Sequence, residues 1–373
     1  MIFQIISCLL GCYISAKISL YINMRFVIYI LFPIQIIYSV IIRVKNVLYN
    51  KKIFKTYKME PYIISIGNIK NGGTGKTPLV EYTAQLLKDY NIAILSRGYG
   101  RQTKGFVLAQ KDTNQSFDIG DESSQLYNKL KNITIATDEN RVNGVKQLLK
   151  HNPKLEIIIL DDGYQHRKLH RDINILLTEY DKLLTQDCLM PIGSLREHKK
   201  EIKRADIIII TKCPEDITKK MMETVKKELK LTDDQKIYFS IIKQHVFIDT
   251  DSFTQYTPNP QAKHLLITGI ENPIKLLDFL SNKKIHHTHL KFADHYNFRT
   301  SDIRKFIKIK TQKKLSQDLL LTEKDYYRLS ENHKKTLKKH FKLICIQIEI
   351  DFITNDKSNF NKQLLNFEKS KKK

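Results

Sequence analysis

The sequence predicts an α/β protein whose core is a mostly parallel β-sheet covered by helices on both faces. Short runs of Ile, Leu and Val alternate along the chain with helical patterns, and a glycine-rich stretch follows the first strand-like run of the core. This alternation is typical of parallel strands connected by crossover helices, because both faces of such a sheet are buried. The 373 residues, 42% of them hydrophobic, suffice for one large elaborated domain or two modest ones.

Two apolar segments precede this core. Residues 26–42 carry no charge, a length near the lower limit for a membrane-spanning helix. Polar residues nevertheless recur at helical spacing and form one stripe: Gln35, Ser39, Arg43, Asn46 and Asn50. A narrow polar stripe with basic residues near one end predicts an amphipathic helix, within residues 24–56, that lies in the membrane interface. The alternative is a buried hydrophobic helix of the soluble fold.

The segment ahead of this helix, residues 1–23, is apolar apart from Lys17. It lacks the basic start and the small-residue cleavage site of a secretory signal. It is either an additional hydrophobic anchor or an extension upstream of a true start at Met24. The sequence alone leaves both open.

Six apolar runs predict the strands of the first part of the sheet: 62–66, 92–95, 133–136, 157–160, 173–177 and 207–210. Helical patterns between them predict helices over 78–89, 141–150 and 214–231. A polar stretch, 250–261, separates this core (57–250) from a smaller α/β subdomain (251–350). The alternative is that this segment packs on the core as one unit. Its predicted strands are 265–268, 285–290, 319–321 and 343–350. A basic tail is expected over 351–373.

The stretch GNIKNGGTGKTP, residues 67–78, joins the first predicted core strand to the first core helix. Its glycines allow backbone N–H groups to point at phosphate oxygens, with the helix N-terminus behind them: Gly72, Gly73 and Gly75. In loops of this kind Lys76 reaches the β- and γ-phosphates and the Thr77 hydroxyl ligates Mg²⁺. Lys70 stands where the general pattern has its first glycine, but the chemistry rests on the later residues. The stretch is therefore predicted to bind phosphate.

An acid pair, Asp161 and Asp162, ends the predicted strand at 157–160. An apolar strand that ends in an acid is the usual partner of a phosphate loop and holds the metal directly or through water. Without the loop, the same acids would be an ordinary strand-to-turn junction. Beside the loop they are predicted to lie near the metal.

Four further polar clusters are expected where strands end, at residues 96–101, 120–122, 165–167 and 195–197. Ligands bind at the carboxyl ends of strands in open α/β sheets. Together the clusters predict arginines, carboxylates and a histidine around one phosphate site. His295 follows a later strand in a polar turn, where a structural role is the more common one.

The net charge of +24 favours polyanionic partners, namely nucleic acid, anionic lipid headgroups or phosphorylated substrates. The alternative is a Lys-rich composition in which most lysines are simply solvated. The five cysteines include no C-x-x-C pair and suit a reducing compartment. Three functional classes fit these residues, namely a membrane-surface kinase, a nucleotide-switch ATPase or GTPase, and a basic nucleic-acid binder. Pro214 stands where the base-reading [NT]-K-x-D motif has its Asp, which argues against a GTPase switch. Aromatic–basic stacking clusters and known nucleic-acid modules are absent from the sequence, so no nucleic-acid partner is expected.

A series of motifs narrows this choice: GNIKNGGTGKTP, LSRGYGR, GDES, DDGYQHRKLHRD, PIGSLRE followed by KRAD, TGIENP, FADHYNF and LLTEKD. Their order, from about residue 24 to 350, resembles the tetraacyldisaccharide 4′-kinase (lipid A 4′-kinase) family of Gram-negative bacteria. The resemblance implies a P-loop NTPase-like core, an N-terminal helix on the inner membrane and a smaller subdomain joined by a β-hairpin. The implied reaction moves the γ-phosphate of ATP to the 4′-hydroxyl of a tetraacylated disaccharide 1-phosphate. We expect a monomer on the cytoplasmic face, with ATP and Mg²⁺ as cofactors.

The resemblance also implies roles for individual residues. The nucleotide contacts are Asn71, Gly72, Gly73, Thr74, Gly75, Lys76, Thr77, Arg97, Tyr99, Gln165 and His166. The residues implied to bind Mg²⁺ are Thr77, Asp161 and Asp162, with Glu197 as a further ligand. The residues implied in the transfer itself are Lys76, Arg196, Asp121 and His295. Asp121 and His295 match a pair that activates the acceptor hydroxyl, and which of the two is the base stays open.

Overall fold

The computed structural model describes residues 30–110, 115–294, 296–353 and 356–366, without the side chains of residues 115, 116 and 243–245. Over these residues the strands are β1 (Tyr62–Gly67), β2 (Ile92–Ser96), β3 (Val107–Leu108), β4 (Thr134–Thr137), β5 (Ile157–Asp161), β6 (Ile173–Glu179), β7 (Ile207–Thr211), β8 (Lys236–Asp249), β9 (His264–Thr268), β10 (His287–Lys291), β11 (Asp318–Thr322) and β12 (Lys342–Phe352). The helices are α1 (Ile30–Asn50), α2 (Lys76–Leu86), α3 (Gln115–Ile119), α4 (Asp121–Lys129), α5 (Arg141–His151), α6 (Lys219–Leu229), α7 (Ile274–Asn282), α8 (Thr300–Gln312), α9 (Glu323–Arg328), α10 (Glu331–Lys338) and α11 (Asp356–Leu365).

The strands form one 12-stranded sheet in the order β10-β9-β11-β12-β8-β7-β6-β1-β5-β2-β4-β3. From β8 to β4 all neighbouring strands are parallel, and β10, β9, β11 and β12 form a second parallel group. The long strands β8 and β12 pair antiparallel and join the two groups. The predicted α/β fold with a mostly parallel sheet is therefore confirmed.

The central strands are apolar because both of their faces are covered. Every residue of β1, β5 and β7 is buried, and helices α2 and α5 pack on opposite faces of this part of the sheet. Continuous Ile, Val and Leu runs are typical of parallel strands in this situation. Each strand that was predicted from such a run is present, with ends that differ by at most two residues.

Two predicted element boundaries need correction. The helix predicted over 214–231 begins only at Lys219, because the Thr218 side chain accepts a hydrogen bond from the Met221 N–H and caps the helix there. The acidic cluster at 120–122 does not end a strand. Gly120 has a φ of +83°, and Asp121 is the first residue of α4.

The predicted basic tail also needs correction, because residues 356–365 form the helix α11. Phe360 and Leu364, four positions apart, are fully buried, and Phe360 stacks on Phe352 with ring centroids 4.7 Å apart. An apolar pair at this spacing gives a short helix a face to pack against the core. The surrounding lysines and amides hide this pattern in the sequence.

Candidate active site

The phosphate loop lies between β1 and α2, at the carboxyl edge of the parallel strands. Gly72 and Gly75 have φ angles of +107° and +88°, which residues with a side chain rarely adopt. The Asn68 amide donates to the Thr74 hydroxyl at 2.8 Å, and the Thr211 hydroxyl donates to the Thr74 carbonyl oxygen at 2.9 Å. The glycines and these two contacts fix the shape of the loop.

One amide of this loop already holds an anion. The Gly73 N–H donates to the carboxylate of Glu271, in the loop after β9, at 3.2 Å. A Cβ atom placed at Gly73 would meet nothing within 4 Å, so the space over this glycine is open. Backbone N–H groups near a helix N-terminus favour negative charge. The Glu271 contact shows that this amide is accessible to an anionic oxygen.

Asp161 lies beside the start of the phosphate loop, because the parallel register pairs it with Ile66 of β1. Its side chain is buried, and its Oδ1 atom has no hydrogen-bond partner within the described parts of the chain. Burial, together with the carboxylates of Glu122 and Asp162, raises the pKa of Asp161 to about 7, although Lys76 acts in the opposite direction. Asp161 is therefore a buried acid whose burial is only partly compensated by the charges of Lys76 and Arg141.

Asp162 faces a different environment. Its Oδ2 and Oδ1 atoms accept from Arg196 Nη1 and Nη2, both at 2.9 Å. Burial would raise its pKa, but the Arg196 hydrogen bonds and the positive charge of Lys76 outweigh burial and lower the pKa. The adjacent acids thus differ in their electrostatics, since the pKa of Asp162 is lowered and that of Asp161 is raised.

Two acids at the start of α4 form ion pairs with α9, the helix that follows β11. Glu122 Oε1 lies 3.0 Å from Lys324 Nζ, and Asp121 Oδ2 lies 2.8 Å from Arg328 Nε. The charge of Lys324 lowers the pKa of Glu122 against burial, with Lys76 as a further contributor. The electrostatic influence of Lys76 on Glu122, Asp161 and Asp162 groups these acids around the phosphate loop. Sequence reasoning missed Lys324 and Arg328, although the LLTEKD motif was the signal for the first.

A metal site is compatible with these residues. Within the described ranges no three His, Cys, Asp or Glu side chains are grouped closely enough to hold a metal alone. Mg²⁺ in phosphoryl-transfer sites usually binds through one or two carboxylates, waters and the substrate phosphates. The orphaned Oδ1 of Asp161 and the buried Thr77 at the start of α2 fit that description.

The other residues predicted to contact the nucleotide, outside the phosphate loop, are more exposed than Asp161. Arg97 and Tyr99 are exposed, and Gln165 is half-buried. His166 is also half-buried, and burial with the nearby charge of Arg141 lowers its pKa to about 4, so its ring is neutral. These four roles stay predictions. His295 lies outside the described residues.

Some polar clusters point elsewhere. Glu197 is buried and pairs with Arg204 through Oε2, while its Oε1 has no hydrogen-bond partner among the described residues, so its metal role stays a prediction. Arg167 donates to Asn46 and Asn50 of α1. Arg101 forms an ion pair with Glu139 at 2.7 Å. Of the four clusters, Arg196 contacts Asp162 and the charge of Lys76 influences the pKa of Glu122. That all four clusters surround one phosphate site stays a prediction.

Helix α1 is turned with its polar stripe toward the protein. Gln35 donates to the Leu189 carbonyl oxygen at 2.8 Å, and the Ser39 hydroxyl lies 3.3 Å from His198 Nε2. Asn46 is buried. The opposite side is apolar and exposed: Ile30, Phe32, Ile34, Ile36, Ile37, Val40, Ile41, Val44 and Val47. By length and composition alone this helix could also cross a membrane.

Comparison with known proteins identifies the relatives of this chain. The family model for LpxK, tetraacyldisaccharide-1-P 4′-kinase, matches residues 27–369. A tetraacyldisaccharide 4′-kinase of Flavobacterium johnsoniae is 37% identical over 91% of this chain and 96% of its own length. The protein of the same name in Phocaeicola vulgatus is 38% identical over 90% of this chain and 94% of its own length.

A solved structure is similar along most of the chain. It is the "apo" form of LpxK from Aquifex aeolicus in complex with ATP at 2.2 Å resolution, with a TM-score of 0.66 and 28% sequence identity. The match covers 88% of this chain and 96% of that one. The similarity therefore includes both parts of the sheet.

Proposed function

This chain belongs to the tetraacyldisaccharide-1-P 4′-kinase family, and we propose from its geometry how it carries out the family's reaction. It transfers the γ-phosphate of ATP to the 4′-hydroxyl of a tetraacyldisaccharide 1-phosphate in lipid A biosynthesis. The observation that carries the proposal is the position of Asp161, paired in register with Ile66 and influenced by the charge of Lys76. A phosphate loop and a strand-end acid are thereby brought to one edge of the sheet.

The loop binds the phosphates of ATP through backbone amides and Lys76. The amide of Gly73, which holds the Glu271 carboxylate here, becomes available to a phosphate oxygen when that side chain moves away. Lys76 neutralises charge on the β- and γ-phosphates as the bond to the leaving group breaks. Arg196 keeps Asp162 in place through its two-point contact.

Thr77 and Asp161, with Asp162 beside them, would hold Mg²⁺. The ion, when bound, supplies positive charge that stabilises the phosphates during transfer. Support for this assignment comes from the raised pKa of Asp161 and from its Oδ1 atom, which has no partner among the described residues, because a cation would compensate a buried carboxylate.

The acceptor hydroxyl needs a base, since an alcohol is a weak nucleophile at neutral pH. We assign this role to Asp121 and His295 acting together, with either as the proton acceptor. Asp121 stands at the N-terminus of α4, next to Glu122, whose pKa responds to Lys76. This location is compatible with a hydroxyl that approaches the γ-phosphate.

The lipid substrate and the exposed side of α1 suggest where the enzyme works. A helix that crossed the bilayer would have to break the contacts that Gln35 and Ser39 make with Leu189 and His198 and to expose the buried Asn46. We therefore propose that α1 lies in the membrane interface with its exposed apolar side toward the acyl chains. Because ATP is the donor, the membrane face is the cytoplasmic one.

Transfer of ³²P from [γ-³²P]ATP to a tetraacyldisaccharide 1-phosphate in detergent micelles tests the proposed function. The purified protein should produce a labelled lipid, and Lys76→Ala should lose this activity by several orders of magnitude while its melting temperature stays near that of the wild type. Labelled inorganic phosphate without labelled lipid would instead indicate a switch-type ATPase. Near-normal turnover by Lys76→Ala would show that phosphoryl transfer does not take place at this loop.

A further inference from the structure

Two cationic side chains of the short helix α9 contact the two acids at the start of α4. Arg328 Nε donates to Asp121 Oδ2 at 2.8 Å, and Lys324 Nζ lies 3.0 Å from Glu122 Oε1. These contacts join residues about two hundred positions apart in the chain. Both cations therefore come from the smaller subdomain, and the charge of Lys76, at the end of the phosphate loop, influences the pKa of one of the two acids, Glu122.

The Arg328 side chain is also held by contacts other than the one with Asp121. Its side chain is fully buried, Nη1 donates to the Gly269 carbonyl oxygen at 2.6 Å, and the same atom lies 3.3 Å from Asp325 Oδ1. Asp325 is fixed in turn, since it accepts from the Gly269 N–H at 3.0 Å and from the Thr322 hydroxyl at 2.5 Å. A guanidinium held on one side in this way offers Nε in one direction, toward the carboxylate of Asp121.

The backbone that carries Asp121 is also fixed. Gly120 has a φ of +83°, and a Cβ atom at this position would lie 2.4 Å from the Tyr99 carbonyl oxygen. The start of α4 is thus packed tightly against the loop after β2. With the backbone in place, the freedom that remains to Asp121 is rotation of its side chain, and the contact with Arg328 restricts it.

We propose that Arg328 and Lys324 are positioning residues of the phosphoryl transfer, through which the smaller subdomain orients Asp121 and Glu122. The inference rests on the proposed function, in which Asp121 acts on the acceptor hydroxyl. Arg328 orients the carboxylate that faces the hydroxyl. Lys324 holds Glu122 and keeps its negative charge balanced next to the phosphates. A displacement of about 1 Å in a reacting group can cost a factor of about 100 in rate.

A purely structural role for this interface is the alternative, and the chain offers a matched control for it. Lys129, at the other end of α4, bridges Glu81 at 2.7 Å and Glu323 of α9 at 3.0 Å. The two helices are thus also joined by an ion pair that lies about 12 Å along the helix axis from Asp121. Lys129→Met weakens the interface without touching the acids at the start of α4.

The test compares kcat, the KM values for ATP and acceptor, the Kd for ATP and the melting temperature in Arg328→Lys, Lys324→Met and Lys129→Met. Arg328→Lys retains the charge but not the planar fork. We expect Arg328→Lys and Lys324→Met to lower kcat about 10- to 100-fold. The Kd for ATP should be nearly unchanged in Arg328→Lys and raised in Lys324→Met, which leaves the Glu122 charge uncompensated next to the phosphates. Lys129→Met should lower the melting temperature and leave kcat within about twofold of the wild type.

A double-mutant cycle separates positioning from stability. If Arg328 acts through Asp121, then Arg328→Lys should cost little further activity in an Asp121→Asn background. Full additivity, or an equal loss of kcat in Lys129→Met, would overturn the inference. If Arg328→Lys fails to fold, the Lys324→Met variant serves as the test, because the Lys324 side chain is 34% exposed and its loss is easier to tolerate. A wild-type kcat in Lys324→Met would overturn the proposal. A wild-type protein that makes no lipid product would instead contradict the proposed function itself.

Discussion

Arg196 contacts Asp162 at two points, with Nη1–Oδ2 and Nη2–Oδ1 distances of 2.9 Å. The backbone carbonyl oxygen of the same arginine accepts a hydrogen bond from the Tyr38 hydroxyl of α1 at 3.1 Å. One residue therefore touches both the helix proposed to lie at the membrane and an acid beside the phosphate loop. This connection links the position of α1 to that of the acid beside the phosphate loop.

Replacing Arg196 by Met should shift the pH dependence of activity. Arg196 lowers the pKa of Asp162 through hydrogen bonds and charge, so its loss raises that pKa and protonates the carboxylate at a higher pH. We expect the acidic limb of the kcat/KM profile to move to higher pH in Arg196→Met. Arg196→Lys, which keeps the charge, should move it less. Coincident profiles for the wild type and Arg196→Met would contradict this account of the pair.

Asp161→Asn should stabilise the fold at alkaline pH. The pKa of Asp161 is raised from 3.8 to about 7, so the unfolded chain ionises at a lower pH than the folded protein. The stabilisation from this group is complete below about pH 4 and is lost as the pH rises through 7. The rise from 3.8 to about 7 corresponds to a cost of up to roughly 4 kcal/mol at pH 8.

Urea unfolding without Mg²⁺ measures this effect. The free energy of unfolding of Asp161→Asn should exceed that of the wild type at pH 8, with a smaller difference at pH 5. Added Mg²⁺ should then stabilise the wild type more than the variant at pH 8, because binding to the folded state shifts the equilibrium. A variant that is equally destabilised at both pH values would show that Asp161 is not a strained buried acid.

Glutamate on the exposed side of α1 should release the protein from membranes. Ile37 and Ile41 are 61% and 60% exposed, and each contributes roughly 1.5–3 kcal/mol when its side chain is buried in an apolar environment. We expect Ile37→Glu and Ile41→Glu to reduce flotation with anionic lipid vesicles and to leave ATP binding unchanged. Ile274→Glu is the matched control, since Ile274 is 59% exposed but lies on α7. Equal flotation of all three variants would show that α1 does not carry the membrane contact.

Asp121 and His295 should behave as one unit in catalysis. If both act on the same proton, the losses in kcat for Asp121→Ala and His295→Ala overlap, and the double variant is little worse than either single one. ATP binding should persist in all three, because neither residue belongs to the phosphate loop. Steady-state kinetics with both substrates varied measures this directly. Fully multiplicative losses, or a normal kcat in His295→Ala, would favour a structural role for the histidine.

Local patterns predicted the features that depend on local physics. Ten of the twelve described strands could be found because sheets buried on both faces need continuous apolar runs, and the phosphate loop because its glycines and Lys76 are contiguous, whereas β3 and β8 were not predicted. Asp161 was predicted from its place after an apolar strand, and its pairing with Ile66 agrees with that prediction. Each of these signals lies within about ten residues of sequence.

Features that depend on tertiary contacts could not be predicted in this way. Arg328 meets Asp121 only because α9 packs against α4, and the sequence around either residue does not indicate its partner. The pairing of Glu197 with Arg204 likewise decides its environment, whereas its neighbour Arg196 reaches the site. The orientation of α1 was similarly hidden, because spacing identifies a polar stripe but not the surface that it contacts.

The position of the new phosphate on the lipid tests the central claim most directly. Purified protein is incubated with ATP, Mg²⁺ and a tetraacyldisaccharide 1-phosphate, and the lipid product is analysed by two-dimensional ¹H–³¹P NMR. We predict a second phosphate monoester whose phosphorus correlates with the proton on carbon 4′, and its absence with Lys76→Ala. A phosphate on another hydroxyl, or ATP consumption with no phosphorylated lipid, would contradict the account.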